Sequence, residues 1–224
     1  MDSLSFPAAF IFDWDNTLVD SWEAIAEAIN HTRAHFGQNP WTLEQVKANC
    51  VQSARDSFPT WFGADWQQAT DIFYRRFEEV QMQSLRARPG ADSLLRWLAQ
   101  QKKPCFVVSN KNGLYLRREI AALGWDDLFV ATAGAQDAPR DKPARDPVDF
   151  VLKTIALAAN TDVWFVGDSA IDVACARNAG CTPVLIGDME IAARLSVTDV
   201  FSDCEALGAL LKKRILPYNQ RQVV

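Results

Sequence analysis

The chain has few residues of the kinds that build metal clusters or disulfide frameworks. Its 224 residues include five cysteines and two histidines. No Cys-x-x-Cys pair or Cys/His cluster occurs, so neither a disulfide scaffold nor a structural zinc site is expected. Cys105 and Cys175 lie among apolar residues, and we expect reduced, mostly buried thiols. His31 and His35 share a predicted helix, and we interpret them as surface residues rather than metal ligands.

Features of membrane and nucleic-acid binding are also missing. No apolar run is long enough to span a bilayer, and the first residues lack the pattern of a signal peptide. The formal net charge is −5, which opposes nonspecific binding to nucleic acid or to an anionic membrane surface. No internal repeat appears. We therefore expect a cytoplasmic globular protein, either a monomer or a homodimer.

Short apolar runs alternate with helical patterns through most of the chain. The predicted strands are 9–12, 105–109, 129–132, 163–167, 183–186 and 199–201. The predicted helices between them are 91–101, 114–123, 147–159, 171–179 and 204–212. This alternation predicts an α/β fold with a Rossmann-like parallel sheet and helices on both faces. Right-handed crossovers would align the carboxyl ends of the strands along one edge.

One region, residues 20–88, interrupts the alternation. It contains no predicted strand, and its predicted helices are 22–36, 43–50 and 66–85. Its aromatic residues are numerous enough to form a core of their own; they include Trp22, Trp41, Phe58, Trp61, Phe62, Trp66, Phe73 and Phe77. We predict an inserted helical domain at 20–88 and a Rossmann-like catalytic core at 1–19 and 89–224. Alternatively, these helices pack directly on the sheet. Residues 216–224 are predicted to form a tail with little structure.

Asp13 and Asp15 directly follow the first predicted strand. They should therefore lie at the carboxyl end of the sheet, where open α/β sheets bind their ligands. Two carboxylates so close repel each other, which indicates a nearby cation or a shared proton. A surface turn is the alternative interpretation, because Asp and Asn are common in turns.

Polar residues follow three other predicted strands and should meet Asp13 and Asp15 at the same edge. They are Ser109, Asn110, Lys111, Lys142, Asp168 and Asp172. Such a mixture suits phosphoryl chemistry, which depends on positioning and charge neutralisation. Asp13 and Asp168 could hold Mg²⁺, a cation that takes oxygen ligands. One carboxylate could then attack phosphorus and another move a proton, while Ser109 and Lys142 hold the phosphate.

Each of these residues also has a simpler interpretation. Ser109 could cap the helix that follows it, and Lys142 could be an ordinary loop lysine. Asp168 could belong to a turn or a helix cap, and Asp172 could be an acid in the first turn of a helix. Agreement among four strand ends favours the functional interpretation.

Four segments, in order along the chain, resemble the four motifs of the haloacid dehalogenase-like hydrolase superfamily. They are DWDNTLVDS at 13–21, VVSNK at 107–111, KP at 142–143 and VGDSAID at 166–172. The helical insertion resembles the α-helical cap of that family, and the Ser-Asn-Lys and Lys-Pro elements resemble its phosphoglycolate phosphatase-like branch. Trp14 departs from the family pattern because a smaller apolar residue is common there, and only core packing is expected of it.

The resemblance implies a role for each matching residue. Asp13 is implied to be the nucleophile and a Mg²⁺ ligand. Asp15 would be the general acid and base, with its backbone carbonyl on the metal. Lys142 would neutralise the nucleophile and the phosphate. The remaining implied roles are phosphate binding by Thr17, Ser109 and Asn110, metal binding by Asp168, and orientation of Lys142 or a metal-bound water by Asp172.

Together these residues predict a Mg²⁺-dependent phosphatase that acts on a small phosphorylated metabolite. Asp15 favours a phosphatase over a dehalogenase, because a dehalogenase has no phosphate leaving group to protonate. A phosphomutase and a non-catalytic phosphate-binding or signalling protein remain alternatives. Arg55, in the inserted region, is a candidate partner for a carboxylate or second phosphate of the substrate, and equally a surface arginine.

Overall fold

The computed structural model describes residues 6–50, 54–187 and 189–219, without the side chains of residues 55, 56 and 215–219. The chain divides into two compact units, one formed by Met1–Val19 with Ala87–Val224 and the other by Asp20–Arg86. The sequence predicts the corresponding junctions at residues 20 and 88.

Strands and helices alternate in the first unit, and helices fill the second. The strands in the described residues are β1 (Ala9–Phe12), β2 (Val19–Asp20), β3 (Arg86–Ala87), β4 (Cys105–Asn112), β5 (Ala131–Ala135), β6 (Val163–Gly167), β7 (Thr182–Ile186) and β8 (Val200–Phe201). The helices there are α1 (Trp22–His35), α2 (Leu43–Asn49), α3 (Ala54–Phe62), α4 (Trp66–Ser84), α5 (Ala91–Gln100), α6 (Gly113–Ala122), α7 (Asp146–Leu152), α8 (Ala170–Ala179), α9 (Met189–Leu195) and α10 (Cys204–Asn219).

The main sheet has six strands in the order β5-β4-β1-β6-β7-β8. All its neighbouring strands run parallel. β1 lies between β4 and β6, and all four of its residues are buried. This explains why β1 is a continuous apolar run, since a central parallel strand is covered on both faces. The predicted α/β fold with a parallel sheet is confirmed.

Alternate residues of β1 face different helices. Ile11 belongs to a core cluster with Val148 of α7 and Cys175 of α8. On the other face, the Phe10 ring contacts the Phe6 ring, which in turn contacts Trp97 of α5 at a centroid distance of 6.0 Å. The period-2 alternation of a strand therefore places helices on both faces of the sheet, as predicted.

The second unit has an aromatic core. Phe58 is buried and its ring lies 5.1 Å from Phe62 and 5.4 Å from Phe73, centroid to centroid. Trp41 and Trp61 meet edge to face at 5.0 Å. Such aromatic contacts add to the stabilisation from buried area. The unit therefore has its own apolar core, as its composition predicts.

Several sequence-based boundaries are wrong. The helix α3 was missed because Pro59 lies inside it, and α9 was also missed. The strand predicted at 129–132 begins at Ala131, after a 3-10 turn at Asp126–Leu128. The helix predicted at 147–159 ends at Leu152.

The region of residues 20–88 also differs from its prediction at its edges. A two-stranded sheet formed by β2 and β3 stands at the two junctions, although no strand was predicted there. At the other end of the chain, α10 continues to Asn219. The predicted tail is therefore wrong for residues 216–219, and residues 220–224 lie outside the described part of the chain.

The cysteines agree with the sequence prediction. Cys105, Cys175, Cys181 and Cys204 are buried and Cys50 is partly buried, all as free thiols. Burial raises the pKa of Cys105 to about 12, which keeps the thiol protonated and unreactive. Among the described residues, no helix combines the length and the apolar character needed to span a membrane.

Candidate active site

Asp13 leaves the sheet at the carboxyl end of β1. Its backbone N–H still bonds to the carbonyl of Val166 on β6, at 2.8 Å. The chain then turns sharply, with Asn16 in the left-handed region at a φ of 64°, a conformation that Asn tolerates better than most residues. This turn directs the buried Thr17 hydroxyl back to Asp13, where it donates to Oδ2 at 3.3 Å.

Lys142 is the cation nearest to Asp13. Its Nζ lies 2.5 Å from Asp13 Oδ1 and 2.7 Å from Asp172 Oδ1. All three side chains are buried. Burial lowers the pKa of Lys142, but the charges and hydrogen bonds of Asp13 and Asp172 outweigh this and raise it above its ordinary value. Lys142 therefore stays charged, and the interpretation as an ordinary loop lysine is wrong.

Asp172 connects Lys142 to the start of α8. Its Oδ2 accepts hydrogen bonds from the Ser169 backbone N–H at 3.1 Å and from the Ser169 hydroxyl at 2.6 Å. Gly167 allows this approach, because a Cβ at residue 167 would come within 2.3 Å of the Asp172 Cβ. Asp172 is thus an acid in the first turn of α8 that also binds Lys142.

Three carboxylates converge at this edge of the sheet. Oxygen atoms of Asp13, Asp168 and Asp172 all lie within 4.8 Å of one another. Burial raises the pKa of Asp13 to about 7, the charges of Asp172 and Asp15 add to the rise, and Lys142 opposes it. Burial also raises the pKa of Asp168, together with the charges of Asp13 and Asp172. Burial and the neighbouring carboxylates therefore disfavour the anionic forms of Asp13 and Asp168 despite the Lys142 ammonium.

Ser109 and Asn110 lie near the end of β4. The Ser109 hydroxyl is buried and accepts the Lys111 backbone N–H at 3.1 Å. Asn112, not Ser109, caps α6, because the Asn112 side chain accepts the Leu114 N–H. The capping alternative for Ser109 is therefore wrong.

Asn110 binds the backbone of Lys142 in both directions. Its Nδ2 donates to the Lys142 carbonyl at 3.0 Å, and its Oδ1 accepts the Lys142 N–H at 3.0 Å. Both ends of the amide are thus engaged by one residue. Asn110 holds the loop that carries the lysine.

Asp15 has a buried cation of its own, which the sequence reasoning missed. Lys111 Nζ lies 2.7 Å from Asp15 Oδ1 and 2.8 Å from Glu119 Oε2. Trp14 Nε1 donates to the same Glu119 oxygen at 2.6 Å. Trp14 therefore has a polar contact in addition to core packing.

A signal for Glu119 was present in the sequence. Leu116, Glu119 and Ile120 have the i, i+3, i+4 spacing of one helix face, and all three are buried on α6. An acid on an apolar helix face requires a buried partner. Lys111 belongs to the Ser-Asn-Lys element, for which the sequence predicts no pairing with Asp15 or Glu119.

Arg55 is the remaining sequence candidate. Its backbone lies in α3 of the second unit, and its side chain is outside the described part of the chain. The structure therefore neither adds Arg55 to the cluster nor removes it.

Comparison with known families agrees with the motif order. The family model described as haloacid dehalogenase-like hydrolase matches residues 10–186. This match covers most of the chain and includes the four strand ends that carry the candidate site residues.

The chain belongs to the haloacid dehalogenase-like hydrolases.

Curated relatives within this family carry a more specific name. A phosphoglycolate phosphatase of Chromobacterium violaceum is 30% identical over 188 residues, covering 80% of this chain and 84% of the relative. A phosphoglycolate phosphatase of Yersinia pestis is 28% identical over 179 residues, covering 76% of each chain. The resemblance that the motifs indicate is confirmed. The family model matches the chain, and these relatives have the name of the phosphoglycolate phosphatase branch.

Solved structures in the family share the fold. A haloacid dehalogenase-superfamily hydrolase from Ehrlichia chaffeensis is 26% identical, with a TM-score of 0.67 over 95% of this chain and 99% of the other. A haloacid dehalogenase-like hydrolase from Streptococcus pneumoniae, at 20% identity, has a TM-score of 0.82 over 92% of this chain and 99% of the other. At that lower identity the likeness concerns the fold alone.

Proposed function

We propose that this chain is a Mg²⁺-dependent phosphatase that hydrolyses a small phosphate monoester through a phosphoryl group carried on Asp13. One observation carries the proposal: the Lys142 Nζ is bound by Asp13 and Asp172 beside Asp168, at the carboxyl edge of a parallel sheet. Phosphoryl transfer requires this combination of an oxygen nucleophile and charge neutralisation. The names of the curated relatives support the same reaction class.

The carboxylate cluster fits Mg²⁺ by its chemistry. Its oxygen atoms are hard donors within 4.8 Å of one another, and Mg²⁺ takes such oxygens together with water. The raised pKa of Asp13 and Asp168 points the same way, because burial, together with the neighbouring carboxylates, disfavours their anionic forms and a divalent cation would favour them. Asp13 and Asp168 would hold the ion, and we retain the Asp15 carbonyl as a third ligand. When bound, Mg²⁺ would neutralise charge on the phosphoryl oxygens.

Asp13 is proposed to attack phosphorus. A carboxylate oxygen forms the new bond to phosphorus while the bond to the leaving oxygen breaks, and Asp15 gives its proton to that oxygen. Asp15 then takes a proton from a water molecule that attacks phosphorus, which releases phosphate and restores Asp13. Lys142 stabilises the anionic form of Asp13 before it attacks and again when phosphate is released, and the Thr17 hydroxyl orients its second oxygen.

Ser109 and Lys142 are the proposed contacts to the phosphoryl group. For Asn110 we propose a supporting role, since its amide already binds both backbone groups of Lys142. Asp172 serves in the same way by binding the Lys142 ammonium. Thr17 remains a candidate phosphate ligand as well as a partner of Asp13.

The substrate is proposed to be a small phosphorylated metabolite, with phosphoglycolate the first to test because of the relatives' names. We retain the prediction that residues 20–88 form a cap domain that selects the leaving group. Arg55→Ala tests the candidate carboxylate contact: a raised KM for phosphoglycolate with little change for other esters would support it, and equal kinetics on all esters would remove it. The cytoplasmic location and the monomeric or dimeric state stay predictions.

The deciding experiment is a panel of phosphate esters assayed for phosphate release with Mg²⁺. It contains phosphoglycolate, sugar phosphates, nucleotides and pyrophosphate. We expect release from at least one monoester, its loss with EDTA and its return with Mg²⁺. Metal-independent turnover, or no hydrolysis of any ester, would overturn the proposal. Thermal unfolding gives an independent measure: Mg²⁺ should stabilise the wild type more than Asp168→Asn.

A further inference from the structure

Four side chains form a hydrogen-bonded row beside the acid cluster. Lys111 lies between Asp15 and Glu119, with its Nζ 2.7 Å and 2.8 Å from their oxygens. Trp14 Nε1 donates to Glu119 at 2.6 Å. We call Trp14, Glu119 and Lys111 the support row. It runs from the apolar core to the Asp15 carboxylate.

The burial of these side chains decreases along the row. Trp14 is fully buried, with its ring 5.7 Å from that of Trp125 in an edge contact. The Glu119 side chain is 1% exposed and that of Lys111 is 4% exposed, whereas that of Asp15 is 25% exposed. Of the four side chains, Asp15 is therefore the most exposed to solvent. The other three fix its position from inside the protein.

The charges show why both acids are present. A buried lysine needs a counter-charge, and Glu119 alone would supply it. The Lys111 Nζ lies within 2.8 Å of a carboxylate oxygen on each of these two acids, Asp15 and Glu119. A lysine that is already neutralised by Glu119 and also bound to Asp15 holds that second carboxylate in one place. An ion pair needed only for folding would not require Asp15.

We propose that Lys111, Glu119 and Trp14 are positioning residues, which hold the Asp15 carboxylate where it exchanges a proton with the leaving oxygen and with water. The inference rests on the proposed phosphatase function. Lys111 binds Asp15, Glu119 fixes the Lys111 ammonium, and the Trp14 indole fixes Glu119. None of the three is assigned a contact with the substrate.

This role differs from phosphate binding by Lys111 in what it does to kinetics. A phosphate ligand would raise KM and slow every ester. A residue that positions the proton donor affects esters with basic leaving groups most, because a nitrophenolate leaves without protonation. It also slows hydrolysis of the phosphorylated enzyme, where Asp15 activates water.

The test compares an alkyl phosphate that the wild type hydrolyses with p-nitrophenyl phosphate in Lys111→Met and Lys111→Arg. For Lys111→Met we expect kcat on the alkyl ester to fall about 100-fold, the scale of a misplaced proton donor, with KM within about 3-fold of the wild type. With p-nitrophenyl phosphate we expect a rapid burst of nitrophenolate followed by slow turnover. Lys111→Arg keeps the positive charge and can donate to both Asp15 and Glu119. Its kcat should therefore lie between those of Lys111→Met and the wild type.

A matched control exists on α5. Asp92 there accepts a hydrogen bond from Trp125 Nε1 and pairs with Arg96, but the Arg96 side chain is about half exposed. Arg96→Met removes the cation of a similar arrangement, and neither Arg96 nor Asp92 has a proposed role in catalysis. Its kinetics should equal those of the wild type with both esters.

Trp14→Phe decides the question if Lys111→Met does not fold. It removes the indole donor to Glu119 without substituting Glu119, Lys111 or Asp15. We expect kcat on the alkyl ester to fall about 3- to 10-fold. With p-nitrophenyl phosphate we expect a nitrophenolate burst, as in Lys111→Met.

Equal losses on both esters without a burst, a raised KM, or wild-type kinetics in Lys111→Met and Trp14→Phe would overturn the proposal. A wild type that hydrolyses no ester would instead overturn the phosphatase function itself.

Discussion

The two units of this protein contain different kinds of buried residue. In the unit formed by Met1–Val19 and Ala87–Val224, two buried lysines pair with carboxylates, Lys142 with Asp13 and Lys111 with Glu119. In the described residues of Asp20–Arg86, the buried side chains are apolar or uncharged. The ion pairs of that second unit, such as Arg76 with Glu27, are solvent-exposed.

This difference indicates which buried side chains stabilise the fold and which serve chemistry. Buried ion pairs are weak sources of stability, because the cost of desolvation offsets the attraction. Aromatic packing stabilises without such a cost. Stability therefore does not explain why the first unit buries charged side chains. The cluster at the edge of its sheet supports catalysis as the explanation. The aromatic core of the helical unit stabilises the fold of that unit.

The largest expected effect is on activity at Asp13. Asp13→Asn removes the proposed nucleophile, so turnover should fall by at least about 10,000-fold. The same change removes a buried carboxylate whose pKa is raised to about 7 by burial. Thermal unfolding of the metal-free variant should therefore occur at the same temperature as the wild type or a higher one. Substantial residual turnover would indicate another nucleophile.

Lys142→Met should weaken both activity and stability. It leaves Asp13 and Asp172 without their buried cation, which typically costs about 3–5 kcal/mol. Urea unfolding in EDTA measures this loss, and Mg²⁺ should restore part of it by replacing the missing positive charge. A variant as stable as the wild type in EDTA would contradict the proposed charge balance.

Phe58→Ala tests the aromatic core of the helical unit. Phe58 is 2% exposed and contacts three other rings. Removing the ring should lower the free energy of unfolding by about 3–5 kcal/mol. Phe150→Ala, at a residue 45% exposed, is the control and should cost less than about 0.5 kcal/mol. Similar losses in both variants would mean that the rings around Phe58 do not form a core.

A smaller effect is expected from pH. Burial holds the pKa of Asp13 at about 7 in the folded protein, whereas an unfolded aspartate titrates near 3.9, an approximate reference value. Between these values the folded state binds more protons than the unfolded state, so stability should fall as the pH rises from about 4 to about 7. Urea unfolding in EDTA at several pH values, compared with Asp13→Asn, isolates this contribution. Parallel curves for the two proteins would refute it.

The smallest effect is expected at Arg76. Its side chain pairs with Glu27 and Glu79 on the surface of the helical unit. Exposed ion pairs contribute little to stability, so Arg76→Ala should leave both the midpoint of urea unfolding and kcat close to those of the wild type. A loss as large as that of Lys142→Met would remove the distinction between the two units.

Much of the fold follows from local patterns. The strands β1 and β6 have the predicted bounds, because each is a short apolar run that stops at an aspartate or a Gly-Asp pair. Boundaries failed where the pattern was ambiguous. The proline inside α3 concealed a helix, and β4 runs past Ser109 to Asn112 because Asn112 pairs with Ala135 beyond a register irregularity.

The sequence by itself determined that Asp13, Lys142, Asp168 and Asp172 gather at the candidate site. Polar residues follow apolar strands, and parallel strands connected by helices bring their carboxyl ends to one edge. Only the tertiary structure decided which charges meet. Lys142 pairs with Asp13 across 129 positions of sequence, and Lys111 pairs with Asp15 across 96. No local periodicity encodes such distances, so the division of the lysines between the two aspartates emerges only when β1, β4 and the loop after β5 are assembled.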